Sequence, residues 1–125
     1  MYIYFNPNHK RTDTTDCVVR ALCKITGQSW HDVYWDLCDI GAELMAWGDT
    51  MLIWGTYLNR LGFVREVIPN TCPHCYTVAD FAADHPYGDY VVATEDHLVA
   101  VSRGNIYDSW DSSDAIPAYY YEKRR

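Results

Sequence analysis

A chain of 125 residues suffices for one compact domain around a single core, and a composition 49% hydrophobic, with 11 Tyr and 5 Trp, excludes a disordered tail. A net charge of −7, with Lys123-Arg124-Arg125 the one basic run, excludes the positive surface that nucleic-acid binding needs. No apolar run approaches the roughly 20 residues of a membrane span, and the opening MYIYFNPNHK lacks the basic and apolar regions of a signal peptide, so the cytoplasm is the expected location.

Residues 1–5 (MYIYF) read as a short strand, and the polar stretch NPNHKRTDTTD as a loop. From Cys17 the apolar positions Val18, Ala21, Leu22 and Ile25 recur at spacings of three and four, which predicts a helix. Thr15 or Asp16 can cap its start, and Gly27 its end. Ser29, with Asp32 three residues on, opens a second helix expected to reach about Leu37 or Asp39; GAELMAWGD after it is ambiguous. Asp49 or Thr50 opens a third, with Leu52, Ile53, Tyr57, Leu58 and Leu61 on one side and Gly62 as its stop. Phe63–Ile68 reads as a strand closed by Pro69, and Thr77 caps a short helix running to about Ala83. Strands follow at Tyr90–Thr94, Leu98–Ser102, Asn105–Trp110 and Ala118–Tyr121. Helices first and an antiparallel sheet after them make an α+β domain, without repeats or a linker to divide it.

Cys17 stands where an irregular loop becomes a helix, so its sulfur meets N–H groups that have no partner within the helix. Such a position stabilises a thiolate and can hold an oxyanion, although buried cysteines are common without either role. In the segment DHLVAVSRGNIYDSW, His97, Val99 and Val101 alternate on one strand and Ile106, Asp108 and Trp110 on the next. A turn at Arg103-Gly104, or a loop from Ser102 to Asn105, makes His97 and Asp108 diagonal neighbours roughly 7–8 Å apart on one face. A polar pair within an apolar face needs a reason, and a carboxylate that orients an imidazole is one. Two strand-end residues in water is the other reading. Cys17, His97 and Asp108 together make a nucleophile, a base and an orienting acid.

These segments, TTDCVVRAL and DHLVAVSRGNIYDSWD, resemble the papain-like cysteine peptidase superfamily, in its compact bacterial and phage branch. They are similar to the bacteriocin-leader peptidase domains of peptide exporters. The resemblance implies an N-terminal helical half packed on a C-terminal antiparallel β-sheet, residues 1–125 forming one papain-like domain. It also implies a cysteine hydrolase acting on a peptide, isopeptide or glutamine amide bond, with Cys17, His97 and Asp108 as the triad and no cofactor. Relatives usually carry a Gln five or six residues before the Cys, where this chain has Thr12 and Arg11. Thr12, Thr14, Asn6 or Arg11 would have to supply the missing oxyanion donor. That departure supports an alternative, a degenerate papain-like module that binds a partner without chemistry, such as a phage protein recognising a host protein.

An odd count of five cysteines without a secretion signal argues for free thiols. Cys72-Pro73-His74-Cys75 supplies half a zinc site, with no second pair to complete it, and a redox pair would need to start a helix after a strand, so the expected reading is a plain turn and no metal. His9, His31 and His85 read as solvated or capping residues. Trp47, Trp54 and Trp110 are candidates for the wall of a cleft. Asp84, Asp89, Glu95 and Asp96 make an acidic surface that favours a basic substrate segment, if weakly. The expected partner is a peptide or protein substrate, with neither nucleic acid nor membrane.

Overall fold

The computed structural model describes residues 1–11 and 15–123. Strand β1 (Tyr2–Tyr4) is followed by helices α1 (Cys17–Thr26), α2 (Trp30–Leu44) and α3 (Met51–Arg60). After them come β2 (Phe63–Val67), α4 (Val78–Asp84), β3 (Asp89–Ala93), β4 (Leu98–Ser102), β5 (Asn105–Asp108) and β6 (Tyr119–Lys123). One six-stranded sheet runs in the order β1-β5-β4-β3-β6-β2.

The centre of the sheet is buried on both faces, as the nearly unbroken apolar runs of β3 and β4 require. Val91, Ala93, Leu98, Ala100 and Tyr121 pack against Val18, Leu22, Val33 and Leu58 from the first three helices. Val92, Val99, Val101 and Ile106 point the other way, against Val78, Phe81 and Ala82 of α4.

The α+β expectation holds, with one correction: the sheet is mixed. β1 pairs parallel to β5 with Tyr4 beside Asp108, whereas every other pairing is antiparallel. A three-residue strand carries no pattern that specifies its partner or its direction. α2 outruns its expected end, because Ile40 and Gly41 continue its buried face before Met45 closes the helix in the left-handed region at φ 54°. A Cβ on Gly41 would meet the Ala46 carbonyl oxygen at 3.1 Å, so close packing explains a glycine inside this helix.

The β4–β5 turn is the two-residue form. Arg103 and Gly104 have φ of 51° and 77°, and Ser102 faces Asn105.

Candidate active site

Cys17 is the first residue of α1. Asp16 precedes it but does not cap the helix with its side chain. Its carboxylate is held instead by the Arg20 guanidinium and by the Trp30 Nε1–H, which donates at 2.9 Å. Among the described residues no side chain accepts from the first N–H groups of α1, beside the Cys17 sulfur.

His97 lies one residue before β4. Its carbonyl accepts from the Thr94 N–H at 2.8 Å, which closes the turn between β3 and β4. The expected face is thus corrected. Val99 and Val101 point towards α4, but His97 is outside the ladder, free of its alternation, and reaches Cys17 at the start of α1. Asp108 ends β5. Its Oδ2 lies 2.6 Å from His97 Nε2, and His97 and Cys17 line one pocket.

Asp108 is buried and well supplied with donors. The Ser112 hydroxyl donates to Oδ2 at 2.8 Å, the Ser109 N–H donates to Oδ1 at 2.8 Å, and Arg20 Nη2 approaches Oδ1 at 3.5 Å. Its backbone carbonyl accepts from the Phe5 N–H at 2.8 Å and the Tyr2 hydroxyl at 3.1 Å, so β1 braces the end of β5. Burial works to raise the Asp108 pKa, but the hydrogen bonds from His97, Ser112 and Ser109 win, and it lies below the usual carboxylate range. Burial likewise works to lower His97. The hydrogen bonds to Asp108 and Cys17 outweigh it and hold the imidazole at about 9, so it carries its proton at neutral pH. Trp110 covers the ring, with centroids 4.7 Å apart.

The three residues singled out from sequence thus come together. The oxyanion candidates do not form a set. Asn6 turns its side-chain carbonyl to the Asn8 N–H at 3.1 Å, Arg11 is exposed, and neither lines the Cys17–His97 pocket. Thr12 and Thr14 lie outside the described residues. That pocket, of about 280 Å³, is lined by Cys17, His97, Trp54 and Tyr119 with the acids Asp49, Glu95 and Asp96. It shares Val18, Asp49 and Trp54 with an adjoining cleft of about 940 Å³, walled by Trp30, Tyr34, Leu37, Trp47 and Ile53. Trp47 and Trp54 therefore line cavities, whereas Trp110 serves the imidazole.

Arg20, Ser112 and Tyr2 were not anticipated. The spacing of Asp16 and Arg20, four apart on a helix, was a usable signal for Arg20; nothing in the sequence pointed to the other two. Free thiols were expected throughout, but only Cys17, Cys23 and Cys38 are free. Cys72 and Cys75 form a disulfide, because their four-residue turn brings the Cα atoms to 4.1 Å. With both sulfurs committed to each other, this turn does not offer two thiolates to a metal. Cys23 is buried, and burial together with the nearby Asp16 carboxylate pushes its thiol up to about 12.

No protein-family model matches the sequence, and no curated protein or solved structure matches it significantly.

Proposed function

We propose that this protein is a papain-like thiol hydrolase acting on a peptide, isopeptide or glutamine side-chain amide. One observation carries the reading: a buried carboxylate holds an imidazole that lines one pocket with a cysteine at the start of a helix. Cys17 Sγ, its proton already taken by His97, attacks the carbonyl carbon as the thiolate and a C–S bond forms. The oxyanion is received by the unpaired N–H groups at the start of α1. His97, already protonated, gives its proton to the leaving nitrogen as the C–N bond breaks. It then takes a proton from water, which attacks the thioester and releases Cys17. Asp108 keeps the ring oriented throughout.

A second reading keeps the fold and omits the chemistry: a module that binds a protein partner. It is favoured because neither Asn6 nor Arg11, the two oxyanion candidates among the described residues, lines the Cys17–His97 pocket. Loss of one such donor costs on the order of 100- to 1000-fold in turnover.

The test is the rate of iodoacetamide labelling at each free cysteine across pH, in wild type and His97→Ala. Under the hydrolase reading Cys17 labels fastest near neutral pH, and His97→Ala shifts its profile towards that of an ordinary thiol. An inert Cys17, or identical profiles in both proteins, rejects the pair and leaves the binding module.

A further inference from the structure

We infer that Arg20 is a positioning residue for Cys17: it holds the Asp16 carboxylate away from the start of α1 and so keeps the first N–H groups of that helix for the sulfur and the oxyanion. This rests on the thiol-hydrolase reading, whose nucleophile it serves. Aspartate is among the residues that best cap a helix, its carboxylate accepting from the second or third N–H. Asp16 stands at the capping position of α1 and makes no such bond. Its backbone, at ψ 27°, also departs from the extended form of Ser29 and Thr77, at ψ 162° and 169°, which do cap α2 and α4.

Two donors draw Asp16 aside. Arg20 Nη1 pairs with its Oδ1 from one turn along the same helix, and the Trp30 indole N–H donates to its Oδ2 at 2.9 Å. Arg20 is itself fixed from the other side, where Nη2 lies 3.5 Å from Oδ1 of Asp108. One guanidinium thus joins the residue before the nucleophile to the carboxylate that holds His97. Stability alone is a poor reason for this arrangement. Arg20, Asp16 and Asp108 are all buried, and Arg20 Nε has no partner among the described residues. A buried ion cluster with an unpaired N–H is commonly no better than apolar side chains of equal volume.

Without Arg20 the carboxylate is free to turn to the Val18 or Val19 N–H as an ordinary cap. That places a negative charge beside Cys17 and consumes a donor, and both oppose a thiolate. The other ionisable groups that share the Cys17 pocket are His97, Glu95 and Asp96 before β4, Asp49 before α3 and Tyr119 of β6. Substitutions at Arg20, Asp16 or Trp30 keep all of them.

The experiment is a double-mutant cycle on Arg20→Gln and Asp16→Ala, read as the rate of iodoacetamide labelling at Cys17 across pH. Arg20→Gln should slow labelling near neutral pH about ten-fold and move the profile to higher pH. Asp16→Ala alone should change the rate less than about two-fold, yet restore it in the Arg20→Gln background. Where Arg20→Gln does not fold, the cycle is run on Trp30→Phe, which removes only the indole donor and spares the buried ion pair. It should slow labelling about three-fold, again reversed by Asp16→Ala. Unchanged labelling, or an Asp16→Ala effect equal in both backgrounds, overturns the inference. A shift on His97→Ala without coupling between Arg20 and Asp16 removes this inference and leaves the hydrolase reading. Coupling without a shift on His97→Ala does the reverse.

Discussion

Asp108 is 2% exposed yet ionised, and its stability depends on the donors around it. Removing one partner of a buried charge pair leaves the other uncompensated, so Asp108→Asn should cost about 3 kcal/mol near pH 6. The pH dependence follows from both shifts. His97 is raised from its ordinary 6.5 to about 9, so its contribution is complete below pH 6.5 and is lost as the pH climbs through 9. Asp108 is lowered, so its contribution is present above the ordinary carboxylate range and is lost as the pH falls through its depressed value. Thermal melts of wild type and Asp108→Asn should therefore differ most between roughly pH 4 and 6.5, and the difference should shrink as the pH climbs through about 9, leaving the part due to Ser109, Ser112 and Arg20. Proton NMR should show the His97 titration moving down towards 6.5 in the variant. Cys17, His97 and Asp108 were legible in the sequence because each is an unusual residue type at an informative local position. Ser112 was not, since a serine in a polar turn carries no sign of the carboxylate it will meet.

At the scale of elements, local chemistry explains most boundaries. Thr77 and Asp80 form a reciprocal capping box at the start of α4, and Gly27 closes α1 in the left-handed region at φ 73°. Thr77→Ala should cost about 1 kcal/mol, read as a lowered midpoint in urea at unchanged slope. The loss should leave Cys17 labelling untouched, because α4 lies on the opposite face of the sheet from α1. The end of α2 was not legible: GAEL is weakly patterned, and only the packing of Ile40 and Gly41 against α3 and Ala46 extends the helix. The β4–β5 turn was readable as one of two lengths, and the positive φ of Arg103 and Gly104 selects the shorter.

Across the whole molecule, the Cys72–Cys75 bond closes so short a loop that it constrains the unfolded chain little. Cys72→Ser with Cys75→Ser should cost at most about 2 kcal/mol, measured by denaturation with and without reductant. Thr71 already ties this turn through its hydroxyl, which donates to the His74 carbonyl and accepts from the Tyr76 N–H. A loss well above that value would mean the bond holds α4 in place as well. β1 acts over a longer range: through Phe5 and Tyr2 it fixes the Asp108 backbone more than a hundred residues away.

By itself the sequence determined where most helices and strands begin, which faces are apolar, and that Cys17, His97 and Asp108 are unusual residue types for their positions. Periodicity, caps and turn residues are local, acting within a few positions of the chain. The parallel seating of β1, the covering of the sheet on both faces, the Arg20 and Ser112 support of Asp108 and the cleft beside Cys17 were decided by tertiary structure alone. Each depends on contacts between residues distant in sequence, made only when the helices and the sheet bury their apolar faces together.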